Sequence, residues 1–274
     1  MDDNQDKLLA DKAFSIRKDI ILSLTAAGSG HLGGSLGLAD IFTVLFFHSL
    51  KHDPANPYWQ DRDRLILSIG HVAPVLYATL AHAGYFGIDE LKTLRKLGSR
   101  LQGHPGKEYG LPGIELSAGS LGQGLSVAVG LALAAKIRNE GWNVWSVHGD
   151  GELQEGSVWE AAMSASHYKL DNLIAIVDRN GVQIDGKTSD VMEIEPLAEK
   201  WESFGWRVLE CNGHHFEELK KTFSDSKMRK RQPVVVIAHT TMGKGIKEIE
   251  GDFHWHGKAP TLEEARRFLQ ELKN

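Results

Sequence analysis

Residues 142–180 read WNVWSVHGDGELQEGSVWEAAMSASHYKLDNLIAIVDRN, two short apolar runs joined by a segment of helical length. The first run, 142–147, leads into Gly149-Asp150-Gly151. The second run, 173–177, ends shortly before Asn180. Apolar runs of this length, bounded by polar residues and glycine, are typical of buried parallel strands. The stretch therefore predicts a strand–helix–strand unit of a parallel sheet.

Asp150 and Asn180 follow the two predicted strands where each strand ends. The carboxyl ends of parallel strands meet at one edge of a sheet, and such edges bind ligands. The Asp150 carboxylate, the Asn180 amide oxygen and a backbone carbonyl such as that of Val182 are hard oxygen ligands. They predict a site for Mg²⁺ and a diphosphate, in which Ca²⁺ or Mn²⁺ would fit the same ligands. For Gly149-Asp150-Gly151 taken alone, an ordinary turn is the alternative interpretation.

The rest of the chain alternates strand and helix patterns, which predicts an α/β fold: a mainly parallel sheet with helices on both faces. Predicted strands cover residues 64–69, 143–148, 173–178, 207–211 and 233–239. Predicted helices cover residues 7–27, 38–49, 74–83, 90–96, 123–139, 156–167, 196–204, 216–228 and 262–272. No repeat or low-complexity linker interrupts the pattern, so we expect a single domain over residues 1–274.

Composition excludes several classes of protein. The formal net charge of −5 and the dispersed lysines and arginines argue against a nucleic-acid partner. Cys211 is the single cysteine, which rules out an intrachain disulfide. The sequence has no apolar stretch of membrane-spanning length and starts with acidic residues, so we expect a cytoplasmic protein that is neither exported nor bound to a membrane.

Glycine-rich segments are predicted at the junctions between elements: 28–34, 103–106, 119–124 and 242–245. The segment Gly119-Ser120-Leu121-Gly122-Gln123-Gly124 comes directly before a long helix of small residues. Because glycines let the backbone approach closely, amides at this helix start are expected to meet an anion or the edge of a cofactor ring. A tight turn that serves only helix packing is the alternative.

Histidines occur in four of the small-residue loops: His31, His71, His104 and His256. An isolated histidine is usually a surface or core residue. A neutral imidazole in a binding site, however, donates to an oxyanion and exchanges a proton near neutral pH. These four residues are therefore candidates for acid–base chemistry.

The full stretch GDGELQEGSVWEAAMSASHYKLDNLIAIVDRNGVQIDG, residues 149–186, resembles thiamine-diphosphate enzymes, and transketolases in particular. The histidine contexts SGHLGGSLG, SIGHVAPVLY, GHPG and HWHGKAP are similar to the same family. The resemblance extends from His31 to about Pro260. It implies a thiamine-diphosphate-binding fold with thiamine diphosphate and Mg²⁺ as cofactors.

The resemblance also assigns roles to individual residues. Asp150, Asn180 and the Val182 carbonyl would bind the metal, with Gly151 beside the cofactor. Gly119, Ser120 and Leu121 would line the aminopyrimidine ring. His71 and His104 would contact the substrate hydroxyls and the carbanion, while His31 and His256 would lie near the diphosphate and the sugar carbonyl. His71 and His256 are also counted as cofactor contacts.

Three further residues are assigned by the resemblance alone. Glu155, also a cofactor contact, and Glu160 would face the neighbouring subunit, where acids link two active sites; solvated helix acids are the alternative. Met242, in the segment TTMGKG, would pack against the thiazolium ring; ordinary core packing is the alternative.

The resemblance covers only the diphosphate-binding half of a transketolase. Only about one helix of the sequence follows Pro260, so we expect the pyrimidine-binding domain with its glutamate to belong to a different chain. We therefore expect the N-terminal subunit of a split transketolase, paired with a C-terminal pyrimidine-domain subunit in a two-fold heterotetramer. The expected reaction moves a two-carbon ketol unit from a ketose, phosphorylated in the ordinary case, to an aldose.

Three alternatives stay open. One is the α subunit of a 2-oxo-acid dehydrogenase. The four histidines argue against it, because a 2-oxo-acid substrate has fewer hydroxyls to bind. Another is a non-catalytic regulator that binds thiamine diphosphate. The last is a magnesium–nucleotide binder, although the sequence lacks a GxxxxGK[ST] loop.

Overall fold

The computed structural model describes residues 3–273 and is built around a five-stranded sheet in which every strand pair is parallel. The strands, in chain order, are β1 (Arg64–Leu67), β2 (Val144–Gly149), β3 (Leu173–Arg179), β4 (Val182–Gln183), β5 (Gly186–Lys187), β6 (Arg207–Asn212) and β7 (Val234–His239). The sheet order is β1-β2-β3-β7-β6, and β4 and β5 form a separate antiparallel hairpin.

The α-helices are the other main element of the described chain. They are α1 (Asp3–Ala27), α2 (Leu32–Gly37), α3 (Ala39–Val44), α4 (Ala73–His82), α5 (Gly124–Ile137), α6 (Gly156–His167), α7 (Thr188–Val191), α8 (Leu197–Ser203), α9 (Phe216–Ser226) and α10 (Leu262–Glu271). None of the helices in the described part of the chain is both long and apolar enough to cross a membrane.

The sheet is covered by helices on both faces because its strands are apolar on both sides. Alternate residues of β3 belong to two separate clusters: Ile174 and Ile176 pack with α1, α3 and α4, whereas Leu173 and Ala175 pack with α5, α6 and α8. The predicted α/β fold class is therefore confirmed, and all five strands of the sheet match the predicted runs to within two residues at either end.

The glycine-rich segment 28–34 departs from its predicted form, since residues from Leu32 onwards belong to the fully buried helix α2. A Cβ on Gly33 would lie 2.7 Å from the Met242 side chain, and one on Gly37 would lie 3.0 Å from the Thr241 carbonyl oxygen. Close tertiary packing thus outweighs the low helix propensity of glycine. The predicted helix at 90–96 is instead a 3₁₀ helix, Ile88–Thr93. The helix predicted at 38–49 ends as a π-helix, Leu45–Ser49.

A buried charge network holds the loop after β7 against the helices. Arg17 donates to both carboxylate oxygens of Asp40, at 2.8 and 2.6 Å. His214 Nδ1 lies 2.8 Å from Asp40 Oδ2, and the Thr241 amide donates to His214 Nε2 at 2.8 Å. Since Nε2 accepts, Nδ1 carries the proton and donates to Asp40. Burial would raise the pKa of Asp40, but Arg17 and His214 hold it below its ordinary value.

Removing the cation from this network should strongly destabilise the fold. We expect Arg17→Met to lower the free energy of unfolding by about 3–5 kcal/mol, because the Asp40 charge would stay buried without its main partner. Urea denaturation followed by circular dichroism measures this. Arg267→Met, which removes an exposed pair with Glu248, is the matched control and should leave the midpoint nearly unchanged. Equal midpoints for the two variants would contradict the assignment.

Candidate active site

A cavity of about 260 Å³ lies at the edge of the sheet where β2 and β3 end. Most of the sequence-predicted site residues line it: His71, Leu121, Asp150, Gly151, Glu155, Asn180, Val182, Met242 and His256. Gly119, Ser120 and His104 line a neighbouring open groove of about 440 Å³. Glu160 lines neither space and is exposed on α6.

Asp150 is buried at the end of β2 and its carboxylate is held by several donors. Oδ1 accepts from the Gly151 amide at 2.8 Å, and Oδ2 accepts from the Gly181 amide at 2.7 Å and from Arg179 Nη1 at 2.8 Å. Burial raises the pKa of Asp150, while these donors partly offset the effect. The carboxylate is therefore fixed in orientation.

Asn180 is oriented by a second buried acid, Asp178. Asn180 Nδ2 donates to Asp178 Oδ2 at 2.8 Å, so the amide oxygen points away from that carboxylate and accepts from the Val182 amide at 3.0 Å. Thr240 also donates to Asp178. Burial raises the pKa of Asp178 to about 7, with Asp150 repulsion adding to the rise and the Thr240 and Asn180 hydrogen bonds opposing it.

The arrangement fits a hard divalent cation. Asp150, Asn180 and Val182 all line the cavity and offer a carboxylate, an amide oxygen and a backbone carbonyl. Mg²⁺ in proteins is usually bound by one or two carboxylates together with substrate phosphates. This donor set, with its single carboxylate, would leave the remaining positions to a diphosphate and water. A buried ring nitrogen, His31 Nδ1, has no hydrogen-bond partner in the described residues.

The four predicted histidines form one cluster beside the cavity. The ring centroids are 5.0 Å apart for His31 and His71, 5.1 Å for His71 and His256, 5.7 Å for His31 and His256, and 6.4 Å for His31 and His104. The sequence separation between these residues gave no direct indication of such proximity. The fold unites them because their loops surround the same edge of the sheet.

The pKa values of all four imidazoles are lowered, with burial as the largest cause. Burial lowers the pKa of His71 to about 3 and that of His31 to about 4, with the neighbouring imidazoles adding to the shift. The pKa of His256 is lowered by burial and that of His104 by burial and nearby Arg95. Each neutral ring has one N–H donor and one acceptor, which suits hydrogen bonding to sugar hydroxyls and to a developing oxyanion.

The start of α5 differs from the expectation for its amides. Gly122 donates to Glu152 Oε1 at 2.9 Å and Gly124 donates to Ser68 Oγ at 3.1 Å. The anion that the Gly122 amide meets is therefore a side chain of this protein. Leu121, between the exposed Ser120 and the buried Gly122, is the loop residue that reaches the cavity.

Other residues that line the cavity had received no functional role from the sequence. They are Gly34, Ile69, Val72, Gly149, Glu152, Gln154, Asp178, Gln183 and Ile184. Gln183 and Ile184 lie on or next to the short β4–β5 hairpin, whose two-residue strands are too short for a period to be visible. Gln154 Nε2 donates to Gln183 Oε1 at 2.8 Å and links this hairpin to the turn after β2.

Known proteins with related sequences were found over nearly the whole chain. The family description "Transketolase, thiamine diphosphate binding domain" matches residues 10–272. An apulose-4-phosphate transketolase subunit of Phocaeicola vulgatus is 42% identical, over 93% of this chain and 90% of that protein. A 6-deoxy-6-sulfo-D-fructose transketolase subunit of a Clostridium species is 41% identical, over 97% of this chain and 96% of that protein.

A solved structure gives the same result for the fold. The transketolase of Campylobacter jejuni superposes with a TM-score of 0.92 at 37% identity. The match covers 97% of this chain but only 43% of the Campylobacter chain. With the cavity, the histidine cluster and these relatives in agreement, the chain belongs to the transketolase family and contains its thiamine-diphosphate-binding domain.

Proposed function

We propose that this chain is the diphosphate-binding subunit of a split transketolase and transfers a two-carbon ketol unit from a ketose to an aldose. The observation that carries the proposal is the cluster of four imidazoles beside a cavity lined by Asp150 and Asn180. The two relatives called subunits, matched over 90% and 96% of their own length, support it. One domain spans the chain in this proposal.

The cofactors would be thiamine diphosphate and a divalent cation, Mg²⁺ in the simplest case. Asp150, Asn180 and the Val182 carbonyl would hold the metal, and Gly151 would face the diphosphate. When bound, thiamine diphosphate supplies the electron sink for breaking the carbon–carbon bond next to the ketose carbonyl. Leu121 and Met242 would pack against its rings.

The histidines would act on the substrate. His71 and His104 would donate hydrogen bonds to the sugar hydroxyls and to the oxygen on which charge develops, while His31 and His256 would lie near the sugar carbonyl and the diphosphate. Because burial lowers the pKa of His71 to about 3 and that of His31 to about 4, these two rings stay neutral and would bind such oxygens without adding positive charge to the site. Their cluster geometry supports contact with several hydroxyls of one sugar.

The names of the relatives support a proposal for the substrate class. One relative is named for a sugar phosphate and the other for a sulfonated sugar. We propose a ketose that carries an anionic group, phosphate or sulfonate, at the end remote from the carbonyl. A cytoplasmic location completes the proposal and is supported by the single cysteine.

Family membership disfavours the 2-oxo-acid dehydrogenase and nucleotide-binding alternatives. The non-catalytic regulator shares the cofactor site and differs only in lacking ketol transfer. An activity assay with the partner therefore separates it from the proposed enzyme.

The proposed partner is a subunit with the pyrimidine-binding domain, in an assembly of two copies of each chain. Glu155 and Glu160 are exposed on this chain, as are Val127 and Ile137 of α5 and Met163 of α6. Exposed apolar side chains on adjacent helices, next to the acids, support a role for this face in assembly. Two-fold symmetry would bring Glu155 and Glu160 toward a second site.

The metal assignment predicts that Asp150→Ala abolishes Mg²⁺-dependent binding of thiamine diphosphate, since it removes the only charged ligand in the set. Asn180→Ala should weaken binding less completely. Isothermal titration of the reconstituted enzyme measures both effects. Asp185→Ala removes an exposed acid of the β4–β5 turn and serves as the control. Wild-type affinity in Asp150→Ala would show that the metal site is elsewhere.

The histidine assignment predicts slower turnover with nearly unchanged cofactor affinity in His71→Ala and His104→Ala. Loss of one donor to a developing oxyanion typically lowers turnover by about 10²–10³-fold. Steady-state kinetics with the partner subunit test this, and His254→Ala, an exposed histidine paired with Asp252, is the control. If both variants turn over ketose at the wild-type rate, the histidines are structural.

The split-enzyme assignment predicts that the purified chain alone shows no ketol transfer at any cofactor concentration. Activity should appear on addition of a pyrimidine-domain polypeptide of roughly three hundred residues, an ordinary domain size. A coupled assay with and without the partner measures this. Full activity in a monodisperse monomer of the lone chain would contradict the assignment.

The assembly face can be tested by a matched pair of substitutions. Met163 on α6 and Met228 just beyond α9 are about half exposed, at 55% and 50%, and lie on opposite faces of the sheet. Met163→Glu should dissociate the two-fold assembly because it places a charge in the proposed interface, whereas Met228→Glu should not. Sedimentation velocity of the complex distinguishes them, and identical sedimentation would place the interface elsewhere.

A further inference from the structure

A buried polar network lies behind the loop that starts α5. Glu152 Oε1 accepts from Ser68 Oγ and from the Gly122 amide, while Glu152 Oε2 lies 3.0 Å from His148 Nδ1. His148 Nε2 lies 2.9 Å from Ser146 Oγ. Each of these side chains is at most 2% exposed. The network thus joins β1, β2 and the turn after β2 to the loop.

The loop 119–124 packs closely against this network, and Gly122 and Gly124 leave no space for a larger residue. A Cβ on Gly124 would lie 2.4 Å from the Ser68 Cβ. Gly122 has φ +80°, and a Cβ there would lie 2.6 Å from Ser157 Oγ, whose hydroxyl donates to the Gly122 carbonyl. Only glycine fits at both positions. The path of the loop is therefore set by the groups that its two amides meet.

We propose that Glu152 is a positioning residue for the cofactor, because its carboxylate fixes the loop 119–124 in its binding conformation before thiamine diphosphate arrives. The effect on cofactor binding rests on the proposed function, whereas the contacts that hold the loop do not. Glu152 accepts directly from Gly122, and through Ser68 it orients the acceptor for Gly124. Leu121, the residue before Gly122, is thereby held in the cavity.

A carboxylate suits this position for an electrostatic reason. The first amides of α5 have no partner within the helix and carry the positive end of the helix dipole. Glu152 supplies a negative group there from within the chain, and His148 satisfies its other oxygen. Without Glu152, the Gly122 amide and the Ser68 hydroxyl would lose their acceptor in a buried environment, which favours a different loop conformation.

Hydrogen–deuterium exchange of the chain alone tests the positioning. In Glu152→Ala the Gly122 amide should exchange at least about tenfold faster, as expected for the loss of a buried hydrogen bond. In Glu152→Gln exchange should stay near wild type: the amide oxygen accepts from Ser68 and Gly122, and its N–H₂ donates to the other tautomer of His148. Ser68→Ala should accelerate Gly124 and provides a second, milder variant in case Glu152→Ala fails to fold.

Asn172→Ala is the matched control. Asn172 is buried and its side chain donates to the Ala132 carbonyl at 3.0 Å, so the variant also removes a buried hydrogen bond to α5, but far from the loop. Exchange of residues 119–124 should be unaffected by it. Unchanged loop exchange in Glu152→Ala and Ser68→Ala, or equal acceleration by Asn172→Ala, would overturn the positioning role.

The reconstituted enzyme tests the consequence. Glu152→Ala should raise the KM for thiamine diphosphate by about tenfold or more, as for a lost buried hydrogen bond. It should change kcat at saturating cofactor only a few-fold, with rescue in Glu152→Gln. A fall in kcat with unchanged cofactor KM would overturn the positioning role. If the wild type itself binds no thiamine diphosphate, the proposed function fails, while the exchange result on the loop stands by itself.

Discussion

Two buried carboxylates meet where β2 and β3 end side by side, and the candidate site depends on how their charge is compensated. The parallel register pairs Gly149 with Asp178, so Asp150 and Asp178 are forced close together. Ionised groups in a buried environment are costly unless they are paired and hydrogen-bonded. Asp150 has Arg179 and two backbone amides. Among the residues that the structure describes, the side-chain donors to Asp178 are the neutral groups of Thr240 and Asn180. The two acids are therefore unequal, and the pKa of Asp178 is raised to about 7 while Asp150 keeps a cationic partner.

The two acids therefore have different roles at the edge of the sheet. Asp178 orients the Asn180 amide, so that its oxygen faces away from Asp178; that oxygen accepts from the Val182 amide and keeps a second lone pair for a cation. Asp150 forms an ion pair with Arg179, and a metal ion would give its carboxylate a second cationic partner. His31 and His71 contribute no charge, because burial lowers their pKa values to about 4 and about 3. The charge at this edge thus resides in the acids and their partners, and the imidazoles provide directional hydrogen bonding.

Much of this could be predicted from the sequence. The five strands and their apolar runs were visible because a strand buried on both faces must be continuously apolar, and Asp150 and Asn180 followed from where those strands end. Helix α2 was missed since its glycines argue against a helix until Met242 and Thr241 are known to pack on them. Arg179 and Asp178 were also missed. A charged residue at a strand end gives no sequence signal for the partner it will meet, since that partner comes from a different element.

The loop after β7 and the loop 119–124, which both reach the cavity, are each held by a buried carboxylate. Asp40 holds His214, which accepts from the Thr241 amide next to Met242, and Glu152 holds Ser68 and Gly122 next to Leu121. In each case a buried carboxylate paired with a histidine fixes a backbone amide, and the neighbouring side chain reaches the cavity. A buried acid gives such an anchor direction as well as strength, because its hydrogen bonds to donors are strong only in a narrow geometry. The glycines allow the backbone to approach closely, and the carboxylates select one of the conformations that the glycines permit. The loops are therefore rich in glycine and yet held in one conformation, because buried carboxylates outside the loops, Asp40 and Glu152, fix them.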